Sequence, residues 1–301
     1  MTGEDGNRRK GSGRPRRRLR DRLRTGLLLV LVRVLSLLPY RARVAGFGWV
    51  TARVIAPLLG ERARMARNLR LAMPELGEAE VRRLLVAIAD NAGRNIAETA
   101  SPAEFIARVR DLPLEGPGAS VLEAAHREGR PLVLAGAHLG NYHALRAALI
   151  ARGVRFGAIY KPRTNPVFEP VYRAAMEALG RPVFANDRAG LIEMVRFLRA
   201  GGMVAILIDQ RVRGGPVLRF FGHRATTPLT AAELALRYDA PLVTGYGIRK
   251  PDGFGFTLWI GAPIPPSDPL TMTQALNDDI EAVVRAHPDQ WIWGYRRWER
   301  D

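Results

Sequence analysis

The chain of 301 residues contains no cysteine and only three lysines, although 46 of its residues are Lys or Arg. The absence of cysteine excludes a disulfide scaffold, a cysteine-ligated zinc or iron–sulfur site and a thiol nucleophile. Any catalytic chemistry must therefore use histidine, carboxylate, hydroxyl or arginine side chains. Because the positive charge is almost entirely guanidinium, the composition favours bidentate binding of phosphate or carboxylate, although a general bias towards arginine would give the same composition.

The sequence also lacks the short motifs of several enzyme and binding classes. It has no GxSxG nucleophile elbow, no P-loop, no dinucleotide-binding GxGxxG after a strand and no HExxH metal motif. We therefore expect no metal and no nucleotide cofactor. The formal charge of +17 raises the alternative of a nucleic-acid-binding protein. No helix-turn-helix, zinc-finger or RNA-binding aromatic signature supports that alternative, so we expect no nucleic-acid partner.

The positive charge is concentrated at the N-terminus. Residues 1–25 hold ten basic and three acidic side chains, which is +7 of the chain's +17. Apolar residues are almost absent from the first 18 positions, which include several glycines. This composition predicts a disordered basic tail over residues 1–25.

Two apolar runs follow the tail, at Gly26–Pro39 and Val44–Leu59. No small-x-small cleavage site follows Leu38, which argues against a signal peptide. A membrane-spanning helix needs about 20 apolar residues, and neither run reaches that length without a charge. We therefore predict that residues 26–60 form a helical segment lying in the membrane interface, with the arginine-rich tail attracted to anionic lipid. The alternative is a buried amphipathic helix.

The remaining residues, 61–301, predict one α/β domain. The pattern from Arg62 to about Ala107 is helical, and short apolar runs then alternate with helical stretches. This alternation indicates a single domain with a mostly parallel sheet flanked by helices. The predicted strands are Pro131–Ala135, Val154–Tyr160, Pro182–Ala185, Met203–Asp209, Pro241–Arg249 and Phe256–Ile260. The predicted helices are Asn141–Arg152, Asn165–Leu179, Asp187–Arg199, Thr227–Tyr238 and Thr271–Ala286.

Two polar clusters follow predicted strands, where ligand sites of such sheets lie. The first is a strand-to-helix turn that contains His138, and a histidine there either acts as a general base near neutral pH or has a structural role. The second is the pair Asp209 and Gln210, at the end of a wholly apolar strand. A carboxylate at that position is costly to desolvate unless it is paired, and histidine or arginine is its natural partner.

Several segments in order along the chain are similar to one family. They are RNLRLAMPEL (67–76), HLGNYH (138–143), KPRTNP (161–166), LIDQ (207–210), FFGHRATTP (220–228), the run from Arg237 to Gly253 and HPDQWIWGYRRW (287–298). With the apolar N-terminal helix, they resemble the late acyltransferases of lipid A biosynthesis, a group related to bacterial phosphatidylinositol mannoside acyltransferases. The resemblance implies transfer of an acyl chain from acyl carrier protein, or coenzyme A, to a glycolipid hydroxyl. It also implies a place at the cytoplasmic face of the inner membrane.

The chain departs from the signature of this family, HxxxxD/E, because His143 stands where the carboxylate is expected. In the family mechanism the histidine, here His138, takes the proton of the acceptor hydroxyl, and the acid orients the imidazole. Three alternatives follow. Asp209 takes the place of the acid, the imidazoles of His138 and His143 share the work, or the protein is a weakened or non-catalytic paralogue that acts as a membrane scaffold.

Other residues are candidates for binding. Arg163 in KPRTNP fits an anion-binding role, either for an acceptor phosphate or for the phosphopantetheine of the carrier, with a surface arginine as the alternative. We also expect Asn141 of the first polar cluster and Gln210 of the second to bind substrate. The three tryptophans within residues 291–298 suit either a membrane-interface anchor or a packed C-terminal helix.

The basic tail and the apolar runs generate a prediction on location. The full-length protein should sediment with membranes at low ionic strength, because the apolar and electrostatic contributions to binding add. Deletion of residues 1–25 should weaken this binding and reduce its dependence on salt, without abolishing it. The measurement is co-sedimentation with anionic and neutral vesicles over a salt series. A full-length protein that stays in the supernatant at low salt would contradict the membrane assignment.

Overall fold

The computed structural model describes residues 37–60, 62–163, 165 and 168–298, together with the single positions 26, 30 and 34. The tail predicted for residues 1–25 lies outside these residues, and so does most of the first apolar run. The three single positions, Gly26, Val30 and Val34, are helical. The prediction that residues 26–60 form a helical segment can therefore be followed mainly from residue 37 onwards.

Within the described residues, the chain forms nine strands, most of them short. They are β1 (Leu114–Glu115), β2 (Leu132–Gly136), β3 (Phe156–Tyr160), β4 (Val183–Ala185), β5 (Met203–Leu207), β6 (Val217–Phe220), β7 (His223–Thr226), β8 (Leu242–Arg249) and β9 (Phe256–Ile260).

The helices whose bounds lie within the described ranges run from Tyr40 onwards. The first is α1 (Tyr40–Val50), which continues through a π-helical turn (Thr51–Ile55) into α2 (Ala56–Leu59). The others are α3 (Arg62–Ala72), α4 (Glu78–Thr99), α5 (Pro102–Val109), α6 (Ala119–Arg127), α7 (Tyr142–Ala151), α8 (Glu169–Ala178), α9 (Arg188–Arg199), α10 (Thr230–Arg237) and α11 (Pro269–Ala286).

Seven strands form one sheet in the order β1-β9-β8-β2-β5-β3-β4, and β6 pairs with β7 in a separate hairpin. Every pair in the large sheet is parallel except β8 with β9. The predicted α/β class with a mostly parallel sheet flanked by helices is therefore confirmed. The six predicted strands are all present, with ends within two residues of the prediction.

The elements that the sequence did not predict are short or polar. Strand β1 has two residues, and helix α6 follows it directly. The β6–β7 hairpin turns at Phe221 and Gly222, which have φ values of 53° and 73°. A non-glycine residue with positive φ is uncommon, so this turn carries a weak sequence signal. Strand β6 alternates between exposed and partly buried residues until Phe220, so it does not form an apolar run.

The central strand β2 is buried on both faces of the sheet. Val133 and Ala135 pack into a core with helices α3, α4, α9, α10 and α11. Leu132 and Leu134 pack on the opposite face, against α5, α6 and α7. Because consecutive side chains of a strand point to opposite faces, an unbroken apolar run is the expected pattern for a parallel strand covered on both sides. Because helices pack on both faces of the sheet, the ends of β2 and of its neighbour β5 lie in the middle of the domain.

The N-terminal helices pack on one side and expose apolar residues on the other. Val44 and Phe47 of α1 are buried in a small cluster with Ala97 of α4. The stretch Tyr40–Leu59 is long and apolar enough to span a membrane by length and composition, a criterion that core helices and signal sequences also satisfy. We call the exposed apolar residues of this region the N-terminal apolar surface: Val30, Val34, Leu37, Leu38, Trp49, Val54, Leu58 and Leu59.

A buried ion pair ties α4 to β8. The Arg249 guanidinium donates to both oxygens of Glu98, at 2.5 and 2.7 Å, and the two side chains are 3% and 0% exposed. Glu98 also accepts from the Asn141 side-chain amide at 2.7 Å. Asn95, one helical turn before Glu98, accepts from Arg249 and donates to the Gly140 carbonyl. The helix and the strand are therefore joined around the turn that precedes α7.

This ion pair generates a prediction on stability. Glu98→Ala should lower the free energy of unfolding by about 3–5 kcal/mol, because it leaves a guanidinium buried without its counter-charge. The double variant Glu98→Leu/Arg249→Met should recover part of that loss. The matched control on the same helix is Glu80→Ala, because Glu80 pairs with Arg83 on the surface. Urea unfolding followed by circular dichroism should show no comparable change for the control; equal losses for Glu98→Ala and Glu80→Ala would contradict the prediction.

Candidate active site

The two polar clusters come together at the carboxyl ends of adjacent parallel strands. Strands β2 and β5 pair in register up to Gly136 and Leu207. The chain then enters two neighbouring loops, with His138 in one and Asp209 in the other. Asp209 lies two residues beyond β5 rather than at its end, because the paired register stops at Leu207. This placement is the one expected for the ligand site of a parallel sheet.

A glycine allows the His138 loop to turn sharply into α7. Gly140 has a φ of 57°, and a Cβ atom there would collide with the Gly247 carbonyl of β8. The Asn141 N–H donates to that same carbonyl at 2.9 Å. Asn141 then begins the helix, because its side-chain oxygen accepts from the His143 N–H at 3.0 Å. The close contact with β8 fixes the backbone on which the His138 side chain stands.

Asp209 is held by donors from two distant parts of the chain. Its Oδ1 atom lies 2.8 Å from Nδ1 of the His138 ring. Its Oδ2 atom accepts from the His138 backbone N–H at 2.8 Å and from the Trp291 indole at 2.9 Å. The Asp209 side chain is fully buried, and His138 is 17% exposed. The Asp209 carboxylate thus has its hydrogen-bond donors inside the protein, whereas the His138 imidazole is partly accessible to solvent.

These contacts set the ionisation of Asp209 and the tautomer of His138. Burial by itself raises the pKa of Asp209, but the charge of His138 and the hydrogen bonds from His138 and Trp291 outweigh it and lower the pKa. The carboxylate is therefore ionised at neutral pH and accepts a hydrogen bond from Nδ1–H of His138. The other ring nitrogen, Nε2, then carries a lone pair. This is the arrangement of a general base oriented by a buried acid.

The free edge of the His138 ring faces a small polar and aromatic group. Gln210 places its amide nitrogen 3.3 Å from Nε2 of His138. The rings of Tyr142 and Tyr295 contact the imidazole edge-on, with centroid distances of 5.1 and 5.2 Å. Burial raises the pKa of both tyrosines above the ordinary value, so both phenols stay neutral. Gln210, which the sequence predicts to bind substrate, therefore lies against Nε2 of His138.

Arg163 is connected to the same group through tyrosines. Its guanidinium lies 4.3 Å from the centre of the Tyr172 ring. Its charge also acts on Tyr142 and Tyr295, the two tyrosines that flank His138. Burial lowers the pKa of Arg163, but its interactions with Tyr172, Tyr295 and Tyr142 outweigh that and raise it. A permanently charged guanidinium thus lies near the tyrosines that flank the imidazole.

The structure places His143 away from both ring nitrogens of His138. Both of those nitrogens face Asp209 and Gln210. His143 is buried on α7, beside the ring of Tyr142 and in the field of the buried Arg146. Burial, followed by the charges of Arg146 and His138, lowers the pKa of His143 to about 3. His143 is consequently neutral at physiological pH.

Asn141 and the C-terminal tryptophans take up internal positions. Asn141 is completely buried, with its amide on Glu98 and its oxygen on the helix N-terminus, so its polar atoms face protein rather than solvent. Trp291, Trp293 and Trp298 are also buried, in an aromatic cluster with Phe220 and Phe221. The membrane-anchor interpretation of these tryptophans is therefore wrong, because the rings fill the core. They pack as irregular chain, not as the helix that was the alternative.

Sequence reasoning missed the residues that reach the site from elsewhere. Trp291 and Tyr295 come from the C-terminal segment, and Glu98 and Arg249 support the turn from α4 and β8. The available sequence signals were the density of aromatic residues in 287–298 and the position of Arg249 at the end of an apolar strand. In the part of the chain that the structure describes, no group of three or more His, Asp or Glu side chains could hold a metal ion.

Comparison with known proteins identifies relatives along nearly the whole chain. The family model described as bacterial lipid A biosynthesis acyltransferase matches residues 14–300. The lipid A biosynthesis lauroyltransferase of Escherichia coli K12 is 28% identical over 281 residues, which cover 87% of each chain. The lipid A biosynthesis acyltransferase of Haemophilus influenzae is 23% identical over 89% of this chain and 84% of its own. The E. coli K12 lipid A biosynthesis myristoyltransferase is 24% identical over 77% of this chain and 73% of its own.

The low pKa of His143 generates a prediction on acid stability. The unfolded chain binds a proton at this histidine near pH 6.5, whereas the folded chain binds it only near pH 3. The free energy of unfolding should therefore fall as the pH is lowered through this window, by up to about 1 kcal/mol per pH unit. His143→Gln cannot titrate, so its stability should fall less steeply between about pH 7 and about pH 4.

The control for this experiment is His126→Gln, because His126 is exposed on α6. Urea unfolding at a series of pH values should give this control the wild-type slope. A His143→Gln slope equal to that of the wild type would show that His143 titrates in the folded protein as it does in the unfolded chain.

Proposed function

Because this chain belongs to the bacterial lipid A biosynthesis acyltransferase family, we propose that it transfers a fatty acyl chain from a thioester to a hydroxyl of a lipid A precursor or similar glycolipid. The donor is acyl carrier protein or coenzyme A. The observation that carries the proposal is the pair of His138 and Asp209, with an oriented imidazole that opens towards solvent. The names of the relatives support lipid A as the acceptor class.

The proposed reaction uses the lone pair on Nε2 of His138. The acceptor hydroxyl gives its proton to Nε2 while its oxygen attacks the thioester carbonyl, and a carbon–oxygen bond forms. The carbon–sulfur bond then breaks, and the imidazolium returns the proton to the leaving thiolate. Asp209 accepts from Nδ1–H throughout, so its negative charge offsets the positive charge on the ring. The reaction leaves the enzyme unchanged and needs no external oxidant or metal.

We propose that Asp209 takes the place of the carboxylate that the family signature puts at position 143. Three observations support this assignment over sharing between the two imidazoles. Asp209 is bonded to Nδ1 of His138, whereas the ring nitrogens of His138 do not face His143. The pKa of His143 near 3 leaves it without charge at physiological pH. Asp209 is fixed by the buried Trp291, which limits its motion relative to the ring.

Gln210 and Arg163 are the proposed binding residues at this centre. The 3.3 Å contact between the Gln210 amide and Nε2 is long for a hydrogen bond, and an acceptor hydroxyl would replace it. Gln210 would then donate to the hydroxyl oxygen or to the carbonyl of the thioester. Arg163 would bind an anionic group of a substrate, because its charge is held next to Tyr142 and Tyr172.

We also propose that the protein acts at the cytoplasmic face of the inner membrane. The N-terminal apolar surface supports membrane contact, because a short stretch of chain exposes several large apolar side chains, with Leu37 at 84% and Leu58 at 81%. Contiguous exposed apolar residues commonly mark a surface that contacts lipid or protein. The basic tail adds attraction to anionic lipids.

A set of variants, measured in one assay, tests the proposed roles of His138 and Asp209. Asp209→Asn should lower turnover by about 10⁴-fold, in line with the loss of an orienting carboxylate in a comparable triad. His138→Ala should remove transfer, and His143→Ala should keep most of it. The measurement is transfer from acyl carrier protein to a glycolipid by the full-length protein in detergent. The acceptor is the lipid that loses one acyl chain in a gene-deletion strain, identified by mass spectrometry.

The same variants separate the alternatives. If Asp209→Asn retains most of a robust wild-type rate, the role of Asp209 is refuted. If His143→Ala is as damaging as His138→Ala, the two imidazoles share the work. If the wild type is barely active and His143→Glu increases the rate by far more than tenfold, the protein is a weakened paralogue. Circular dichroism of each variant distinguishes lost chemistry from lost folding.

A further inference from the structure

A cleft of about 570 Å³ lies between helix α3 and the C-terminal segment. Six of the residues that line it are arginines: Arg64, Arg67, Arg70, Arg211, Arg296 and Arg297. Its remaining lining residues are Asn68, Leu71, Tyr295 and Trp298, so no carboxylate is among them. Cations packed around one space repel each other unless an anion joins them. The composition of this cleft therefore indicates an anionic ligand.

Some of these arginines already have partners inside the protein. Arg70 forms a bidentate pair with Glu78 at 2.8 and 2.9 Å. Arg297 is buried and donates to the Thr226 carbonyl and the Thr227 hydroxyl. In contrast, no carboxylate in the described ranges forms an ion pair with either Arg67 or Arg296, and both are exposed.

The arginines of α3 form a row. Arg64, Arg67 and Arg70 are spaced three residues apart, which places them on one face of the helix. The Nε atom of Arg64 is buried with no hydrogen-bond partner in the protein. A row of guanidinium groups suits a ligand with more than one anionic oxygen group, because each guanidinium can bind a phosphate in a bidentate manner.

The cleft and the catalytic centre are neighbours that share Tyr295. Tyr295 lines the cleft, and its ring contacts the His138 imidazole at 5.2 Å. Arg211 also lines it and directly follows Gln210, whose amide lies against Nε2 of His138. A ligand whose head lies among the arginines would therefore be next to the catalytic centre, with Tyr295 between the cleft and the imidazole.

The size and position of the cleft decide which anion fits. Its volume lies within the range of about 300–1,000 Å³ that is typical of small-molecule sites, and it is much larger than a single phosphate ion. Helix α3 begins two residues after Gly60, and Leu58 and Leu59 of the N-terminal apolar surface precede it. An anionic sugar attached to lipid chains would therefore place its head in the cleft and its chains towards that surface.

We propose that this cleft binds the phosphorylated sugar head group of the acceptor lipid, with Arg67 and Arg296 as its principal ligands. This inference rests on the proposed function for the identity of the acceptor. The acyl donor also carries phosphate, but Arg163 is a separate cation that would bind the donor phosphate. Arg163 stacks on Tyr172 and does not line the cleft. Recognition of phosphate in the cleft would make the protein prefer phosphorylated acceptors to neutral ones.

The test compares two double variants with equal loss of charge. Arg67→Gln/Arg296→Gln removes the two cleft arginines, and Arg188→Gln/Arg199→Gln removes two exposed arginines of α9 that do not line the cleft. Binding to full-length protein is measured with detergent micelles that contain a phosphorylated lipid A precursor, or the same lipid after phosphatase treatment. Transfer assays give kcat and the KM values of acceptor and donor separately.

The cleft variant should bind the phosphorylated lipid at least about tenfold more weakly, because a charge-assisted hydrogen bond to phosphate commonly contributes about that factor. Its acceptor KM should rise, with kcat and donor KM nearly unchanged. The α9 variant should match the wild type, and the dephosphorylated lipid should bind the wild type and the cleft variant equally.

The proposal is overturned if the cleft variant binds the phosphorylated lipid like the wild type, or if the donor KM rises instead of the acceptor KM. An equal loss of binding for the dephosphorylated lipid would also overturn it, because that loss would not depend on phosphate. The binding assay does not depend on acyl transfer, so the two proposals can fail separately. A wild type that binds in a phosphate-dependent way but transfers no acyl chain would refute the proposed function and leave the cleft assignment in place.

Discussion

The buried carboxylate of Asp209 is the constraint on which the site depends. An isolated carboxylate in a protein interior costs several kcal/mol, so it is found there only with its hydrogen bonds satisfied. Its donors come from the loop after β2 and from the C-terminal segment, through His138 and Trp291. Trp291 in turn packs with Phe220 and Trp293. The need to satisfy one carboxylate thus holds the two loops, the C-terminal segment and the β6–β7 hairpin together.

The opposite side of the His138 loop is held by a second buried charge. Glu98 binds Arg249 and Asn141, while Gly140 passes close to Gly247 of β8. The loop is therefore fixed from the sheet and from α4, and only the free edge of the imidazole is left to move or to react. A base that is positioned before the substrate arrives does not need to reorganise during the reaction, which is a general source of catalytic rate.

The surface features fit the proposed reaction of a lipid with a charged head. The arginine row of α3 follows Leu58 and Leu59 of the N-terminal apolar surface in sequence, and the cleft that it lines shares Tyr295 with the His138 site, which suits the chains, the head group and the hydroxyl of such an acceptor. Arginine is suited to this arrangement because its guanidinium remains charged when it is partly buried and binds phosphate through two parallel hydrogen bonds.

The sequence alone determined the class of fold and the two strand ends that carry His138 and Asp209. Short unbroken apolar runs between helical stretches are typical of strands covered on both faces, and parallel neighbours bring their carboxyl ends together. It left open which group orients His138, because His143 is near in sequence and Asp209 is 71 residues away. Only the tertiary structure decided that Asp209 contacts the ring while His143 points into the core, and that the C-terminal tryptophans are buried. Contacts between distant segments depend on how whole helices and strands pack. Neither the spacing of residues along the chain nor the amino-acid composition predicts that packing.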